Sequence, residues 1–168
     1  MKWVYIIAGV VAGIVLIVVV IGLMLPKSHH ATRMARFKQT PEAVFAAISG
    51  SQDWRPGITV EEVPSEGGPR KWREKSSHGA ILFEEAASEP PRMYKTRIAD
   101  KNLPFGGTWT YEISPTEDGC TCRITEDGEV YNPVFRFVSR FVMGQTKTIE
   151  DYLNAMGKKF GETVKIEQ

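Results

Sequence analysis

The chain has 168 residues, of which 42% are hydrophobic, and its 21 basic and 20 acidic side chains leave a formal net charge of +1. This length suits one domain of ordinary size. A balance so close to neutral excludes an acidic disordered tail, and it excludes a general nucleic-acid binder, which needs an excess of lysine and arginine to meet the phosphate charge.

An apolar run occupies residues 3–25. It has 23 residues, all of them hydrophobic except three glycines. As a helix it extends roughly 34 Å, enough to cross a hydrocarbon core of about 30 Å. A cleaved signal peptide is the alternative, but its apolar stretch is usually about 7–15 residues and ends in a small-x-small site, which residues 26–30 lack. We therefore predict a transmembrane anchor over residues 1–27 and a soluble domain over residues 28–168.

Charges and small residues around this run bear on its orientation and pairing. Lys27 and three further basic residues up to Lys38 follow the run, whereas Lys2 precedes it. By the positive-inside rule, this difference favours a single-pass protein of the cell membrane with its domain in the cytoplasm. Gly9 and Gly13 have the small-xxx-small spacing that lets two such helices approach, so a weak homodimer through the anchor is a further hypothesis.

After the anchor, the pattern predicts a strand, a short helix and a series of strands. Residues 32–38 alternate as a first strand does. Thr40 and Pro41 provide an N-cap and a proline at the first helical position, and the helix is expected to end near Gly50. Over residues 58–129, turn residues divide the chain into short strands with alternating polar and apolar residues. Such alternation predicts an antiparallel sheet with one face in water and one face covered.

The last segment is expected to cover that sheet. Asn132 and Pro133 again form a cap followed by a first-position proline, and apolar residues then recur at helical spacing up to Phe160. They predict one long amphipathic helix, with Arg136 off the apolar stripe and facing solvent. Gly144 interrupts it at a cost of about 1 kcal/mol relative to alanine, which indicates a bend, a close crossing or room left for something else.

The cysteines and histidines of this chain are not spaced as the ligands of a metal site are. Cys120 and Cys122 are i, i+2 neighbours on a predicted strand, so they point the same way and cannot easily bridge each other. We interpret them as two buried small side chains, because a zinc site needs more ligands. His29 and His30 directly follow the anchor and suit an interfacial role, and His78 lies in a predicted turn. We therefore expect no metal and no cofactor.

The order of these elements resembles a known superfamily. The motifs that carry the likeness are Pro90-Pro91 before a strand, the Gly107-x-Trp109-x-Tyr111 strand, and the run from Asp127 to Pro133 that leads into the closing helix. They are similar to the START-related lipid-transport and polyketide cyclase superfamily (SRPBCC), and to a membrane-anchored bacterial branch of it without a settled activity. The resemblance covers about residues 31–162. It implies an α+β helix-grip fold, in which a curved antiparallel sheet wraps around a long C-terminal helix.

That fold implies a hydrophobic cavity between the sheet and the helix. We expect the cavity to be lined by Trp72, Phe83, Ile98, Trp109, Tyr111, Val138, Val142 and Met143, with Phe105 near the mouth. For each of these residues, the filling of an ordinary core is the alternative.

Three functions are compatible with such a domain. The first is a membrane-anchored binding module that takes up a lipid or another small hydrophobic molecule, which is most concentrated at the membrane. The second is a polyketide cyclase or dehydratase-like enzyme, with Glu85 or Glu74 as base and Tyr111 as hydrogen-bond donor to a developing enolate. The third is a protein-interaction module with a collapsed cavity.

Two considerations favour the binding module over an enzyme. The chain has no Gly-x-Ser-x-Gly motif, and its carboxylates have a simpler interpretation as rim residues paired with Arg73 or Arg97. The polar content of the cavity distinguishes the two functions. An enzyme needs two or more converging polar groups, whereas a carrier needs at most one.

Overall fold

One antiparallel sheet dominates the computed structural model, which describes residues 1–77, 79–144 and 146–168 and every side chain among them except that of Met143. The strands of this part of the chain are β1 Ser28–Phe37, β2 Thr59–Val63, β3 Lys71–Ser76, β4 Gly79–Glu89, β5 Met93–Ile98, β6 Phe105–Thr116, β7 Gly119–Val130 and β8 Ile166–Glu167. They pair in the order β2-β3-β4-β5-β6-β7-β1-β8. The predicted α+β fold with a curved antiparallel sheet is confirmed. The predicted turn at His78 lies outside the described residues.

The helices lie before, within and after the series of strands. They are α1 Lys2–Met24, α2 Pro41–Ser49, α3 Pro133–Val138, a π-helical turn Ser139–Met143 and α4 Lys147–Lys159. The predicted cap of α2 is present, because the Thr40 hydroxyl accepts a hydrogen bond from the Ala43 backbone N–H at 3.3 Å. The cap of α3 is present too, with the Asn132 side-chain oxygen 2.9 Å from the backbone nitrogen of Val134.

The sheet has the wet and covered faces that the alternation predicts. On β7, Cys120, Cys122 and Ile124 are fully buried, whereas Arg123 between them is exposed. Both cysteines are free thiols, which agrees with their interpretation as buried small side chains. Burial raises the pKa of the Cys120 thiol to about 11 and that of Cys122 further, so both thiols stay protonated at neutral pH.

The C-terminal helix is broken, so the prediction of one continuous helix is wrong. The π-helical turn that follows α3 ends at Gly144, whose φ of +76° is a conformation that side-chain-bearing residues rarely adopt. α4 begins at Lys147 and buries Ile149, Leu153 and Met156 in the core under the sheet. We call residues 133–143 the α3–π segment, and its first part, α3, packs instead against the end of α1.

Arg136 fixes the α3–π segment to α1. It is only 7% exposed, so the prediction that it faces solvent is wrong. Its Nε donates to the Val130 carbonyl at 2.8 Å and its Nη2 to the Tyr131 carbonyl at 2.9 Å. Its Nη1 lies 3.2 Å from the Gly22 carbonyl and 3.4 Å from that of Leu25. Because the last carbonyls of a helix lack partners and carry partial negative charge, the end of α1 is a favourable site for a guanidinium.

α1 is apolar and mostly exposed. It is long and apolar enough to cross a membrane, and its large apolar side chains from Trp3 to Met24 are largely outside the core. Its buried residue is Gly22, where a Cβ would lie 2.0 Å from the Pro133 carbonyl oxygen, so glycine is required for the contact with α3. A Cβ at Gly9 or Gly13 would meet no described atom within 4 Å, and pairing of two anchors through them stays a prediction.

Replacing Arg136 by methionine should loosen α1 from the domain. The variant leaves four main-chain carbonyls without their donor, so we expect a loss of at least about 2 kcal/mol in the free energy of unfolding. In the detergent-solubilised chain, amide hydrogen exchange over residues 22–27 should also become faster. Arg36→Met, at an exposed position on β1, should change neither quantity appreciably. Equal exchange in the two variants would contradict the assigned role of Arg136.

Candidate functional site

Aromatic rings meet between the inner face of the sheet and α4. Tyr152 on α4 lies at the centre, with ring centroids 5.3 Å from Trp54, 5.8 Å from Trp109 and 5.6 Å from Tyr111. Trp72 on β3 stacks on Phe83 of β4 at 5.9 Å. We call these six residues the aromatic cluster: Trp54, Trp72, Phe83, Trp109, Tyr111 and Tyr152. Flat, rigid rings of this kind provide large apolar contact area for a small molecule.

An ion pair borders the aromatic cluster. The guanidinium of Arg55 bonds Oε2 of Glu74, and the two side chains are only 15% and 13% exposed. The indole N–H of Trp72 donates to the other oxygen of Glu74 at 3.1 Å. The guanidinium carbon of Arg55 also lies 5.5 Å from the centroid of the Tyr152 ring. The pair therefore adds two opposite charges to an otherwise aromatic site.

One donor of Arg55 is not used by the protein. Its Nε is buried and has no hydrogen-bond partner among the described residues. A buried donor without an acceptor costs roughly 1–3 kcal/mol, and more when it is charged. Folded proteins seldom keep such a group without a reason. The atom is suited to an oxygen acceptor on a bound molecule.

The loop between α2 and β2 brings Arg55 and Trp54 to this position. The side chains of Gln52 and Trp54 donate to carbonyls in the last turn of α2, at 2.7 and 3.1 Å. The Tyr152 hydroxyl in turn donates to Oε1 of Gln52 at 3.2 Å. The loop is thereby tied both to α2 and to α4. Sequence reasoning missed Gln52, Arg55 and Tyr152 as site residues, since the loop has no periodicity and Tyr152 looked like one more residue of the apolar stripe.

The three interior tyrosines are held neutral. Burial raises the pKa of Tyr111 and of Tyr152 well above the usual phenol range. Burial, followed by the charge of nearby Glu85, raises the pKa of Tyr94 to about 12. A neutral phenol can donate a hydrogen bond, which is the role predicted for Tyr111, but in this structure the Tyr111 ring is packed inside the cluster.

The predicted wall residues divide into two groups. Trp72, Phe83, Trp109 and Tyr111 come together in the aromatic cluster, and Ile98 pairs with Phe83 across β4 and β5. The other wall residues and the predicted mouth residue lie elsewhere: Phe105 at the start of β6 opposite Val130, Val138 half-buried on α3, and Val142 in the π-helical turn.

Val142 does not lie on the covered face to which its helical spacing assigned it. It is 72% exposed, because the helix breaks at Gly144 and the π-helical turn follows α3 rather than α4. The side chain of Met143, also expected at the wall, lies outside the described residues.

The two candidate carboxylates, Glu74 and Glu85, and the neighbouring Glu84 have different surroundings. Glu74 belongs to the site, whereas Glu85 lies beside the Tyr94 phenol. Glu84 points to the outer face, where hydrogen bonding to Arg97 lowers the pKa of its carboxyl group. A carboxylate does pair with Arg97 as predicted, but it is Glu84 rather than Glu74 or Glu85.

Two surface clefts lie outside the aromatic cluster. One, of about 720 Å³, is at the end of the sheet near Phe37, Thr116 and Glu162. The other, of about 260 Å³, is at the end of α1 near Lys27 and Arg140. None of the predicted wall residues lines either cleft. Within the aromatic cluster, Tyr152 contacts the rings of Trp54, Trp109 and Tyr111, and Trp72 contacts Phe83.

The chain matches a known protein family. A family model described as "Polyketide cyclase / dehydrase and lipid transport" matches residues 28–160. No curated protein matches the chain.

Solved structures share the fold at low sequence identity. A conserved protein from Geobacillus kaustophilus has a TM-score of 0.64 at 17% identity, over 83% of this chain and 100% of its own. A protein from Mesorhizobium loti has a TM-score of 0.60 at 15% identity, over 79% and 97%. Norcoclaurine synthase from Thalictrum flavum has a TM-score of 0.59 at 14% identity, over 81% and 87%.

Breaking the ion pair from one side should destabilise the domain. Glu74→Gln leaves the Arg55 guanidinium buried without its countercharge, for which we expect a loss of about 3 kcal/mol in unfolding free energy. The double variant Arg55→Met, Glu74→Leu should lose less unfolding free energy than the sum of the losses in the single variants Arg55→Met and Glu74→Leu. Asp151→Asn, which breaks the exposed pair with Lys147, should cost less than about 0.5 kcal/mol. Strict additivity at Arg55 and Glu74 would show that the two are not coupled.

Alkaline pH should unfold the domain through the interior phenols. They are neutral in the folded state and ionise near pH 10 in the unfolded chain, so the unfolded state releases its protons first. The stability that they contribute is complete below pH 10 and is lost as pH rises through the folded pKa, which is about 12 for Tyr94. Denaturant unfolding at increasing pH measures this slope, and Tyr94→Phe should make it shallower. A stability independent of pH in that range would contradict the prediction.

Proposed function

We propose that this chain, which belongs to the polyketide cyclase / dehydrase and lipid transport family, binds a small hydrophobic molecule. The ligand, a lipid or another apolar compound, would lie between the inner face of the sheet and α4. The observation that carries the proposal is the aromatic cluster bordered by Arg55 and Glu74. Binding sites for small molecules are mostly apolar and aromatic, with a few placed polar groups that fix orientation.

The two parts of the site suit the two ends of an amphiphilic ligand. Ring faces from Trp109 and Tyr152 can contact the apolar body. The unpartnered Nε of Arg55 can donate to an oxygen at the polar end, while Glu74 holds the guanidinium in place. Since Tyr152 now contacts the rings of Trp109 and Tyr111, uptake requires these rings to separate. In this proposal α4 moves apart from the α3–π segment, because the helix is interrupted at Gly144.

The membrane supplies the ligand in this proposal. α1 is long and apolar enough to span the bilayer, and it would hold the domain where poorly soluble molecules are most concentrated. The basic residues that follow α1 favour a domain on the cytoplasmic side. A reporter fused to the C-terminus, active on one side only, tests this orientation.

Catalysis on such a ligand is the second candidate, and the convergence of polar groups favours it. Arg55, Glu74, Tyr111 and Tyr152 exceed the single polar group expected of a simple carrier. The fold also accommodates chemistry on aromatic molecules elsewhere, since norcoclaurine synthase was solved in complex with dopamine and hydroxybenzaldehyde. However, both oxygens of Glu74 already accept bonds from protein donors, so Glu74 could act as a base only after releasing one of them. We therefore place binding first.

Photocrosslinking tests the binding proposal. The full chain is placed in phosphatidylcholine nanodiscs that contain palmitic acid with a diazirine group, and adducts are mapped by mass spectrometry. We expect adducts in the peptides that hold Trp109 and Tyr152, in addition to those in α1. Arg55→Met should reduce the interior adducts severalfold, whereas Arg97→Met, on the outer face, should not.

Native mass spectrometry of the purified chain provides the second measurement. A co-purified small molecule, bound to the wild type and diminished in Arg55→Met, would support the proposal whatever its identity. Adducts confined to α1, together with no co-purified molecule, would overturn it. An extracted molecule that differs in mass between the wild type and Glu74→Gln would favour the enzyme, because a blocked reaction accumulates its substrate.

A further inference from the structure

The α3–π segment exposes an apolar stripe. Val134, Phe135, Phe141 and Val142 are 39%, 46%, 60% and 72% exposed. They are spaced i, i+1, i+7 and i+8, which places them along one side of a helical segment. Soluble proteins seldom leave large apolar side chains clustered in water, so a group of this kind indicates a contact surface.

The opposite side of the segment is polar and turns toward the protein. Arg136 is buried against main-chain carbonyls. Ser139 and Arg140 line the 260 Å³ cleft together with Lys27 and His30. An apolar stripe opposite arginine and serine is the pattern of a helix that lies in the plane of a membrane interface, with its apolar side in the acyl region.

The stripe begins beside the end of α1. The segment starts at Pro133, which contacts α1 at Gly22. The neighbouring residues of α1, Leu23 and Met24, are 61% and 82% exposed. The start of the stripe, at Val134 and Phe135, therefore lies at the level where α1 would leave the bilayer, and Arg136 holds the two elements together at this level.

We infer that the α3–π segment inserts its apolar stripe into the bilayer interface and forms a second membrane contact beside α1. This inference rests on the membrane placement of α1 in the proposed function. The occupant is the lipid bilayer itself. Because 20 basic and 20 acidic residues balance beyond Pro26, insertion of apolar side chains drives the contact, and zwitterionic lipid is sufficient.

The second contact has a consequence for ligand uptake. One helix would leave the domain free to rotate about the anchor, whereas two contacts fix which end of the sheet faces the lipid. That end contains Phe105 at the start of β6, beside the backbone bond from Tyr131 to Pro104. A lipid taken up by the domain would therefore enter from this end of the sheet, without crossing bulk water.

Depth-dependent fluorescence quenching tests the inference in the full chain. Val142→Cys and Phe141→Cys are each labelled with nitrobenzoxadiazole, while native Cys120 and Cys122 are fully buried and remain unlabelled under native conditions. The chain is reconstituted into phosphatidylcholine vesicles with or without doxyl-labelled phosphatidylcholine. Leu16→Cys within α1 is the positive control, and Glu66→Cys in the exposed loop between β2 and β3 is the negative control.

We expect quenching at positions 141 and 142 to approach that at 16 and to exceed that at 66 by about threefold or more, because only lipid-immersed labels meet the quencher. Quenching at 16 but not at 141 and 142 would overturn the second contact and leave the membrane placement of α1 intact. No quenching at any of the four positions would contradict both the second contact and the membrane placement of α1. Emission that is blue-shifted at 142, unquenched, and dependent on the protein-to-lipid ratio would show that a second copy covers the stripe, and would equally overturn the inference.

Discussion

The guanidinium of Arg136 among four main-chain carbonyls is the interaction on which the arrangement of this molecule depends. It links the last turn of α1 to the end of β7 and to the start of α3, segments that the β1–β7 pairing and the Gly22–Pro133 contact also bring together. A charge can be buried here because its nitrogens meet four carbonyl oxygens, and because the C-terminal end of a helix attracts a cation. Once this contact forms, residues 133–143 are committed to α1 and cannot also cover the sheet.

The break in the C-terminal helix follows from that commitment. α4 fills the concave side of the sheet with Ile149, Leu153 and Met156, as the fold requires. The first part of the α3–π segment packs on α1 instead, and Gly144 lets the chain change direction between the two partners, since its φ of +76° is easily reached only by glycine. Packing under the sheet and packing on α1 are thus assigned to different halves of what looks like one amphipathic helix.

The interior site combines packing with charge. The aromatic cluster lies against the Arg55–Glu74 pair, and in the proposed function this pair fixes the orientation of a ligand whose apolar body contacts the rings. The same arrangement is compatible with a carrier and with an enzyme. What separates them is whether Glu74 can release one of its two protein donors when a ligand is bound.

The sequence by itself determined the features that depend on local pattern. The apolar run of α1, the caps at Thr40 and Asn132, the alternating faces of β6 and β7, and the inward positions of Trp72, Trp109 and Tyr111 could all be predicted, because each follows from spacing over a few residues. The family resemblance added the overall fold. Together they placed four of the six rings of the aromatic cluster.

Only the tertiary structure decided which polar groups the interior keeps and where the helix breaks. Arg55 and Glu74 are 19 residues apart, and Arg136 meets Gly22 from 114 residues away, so no periodicity connects them. Val142 was misplaced for the same reason: helical spacing assigns a residue to a face, but the partner of that face is chosen by long-range contacts. For this chain, the pattern determined which side chains are apolar, and the fold determined whether they pack under the sheet, pack on α1 or remain exposed.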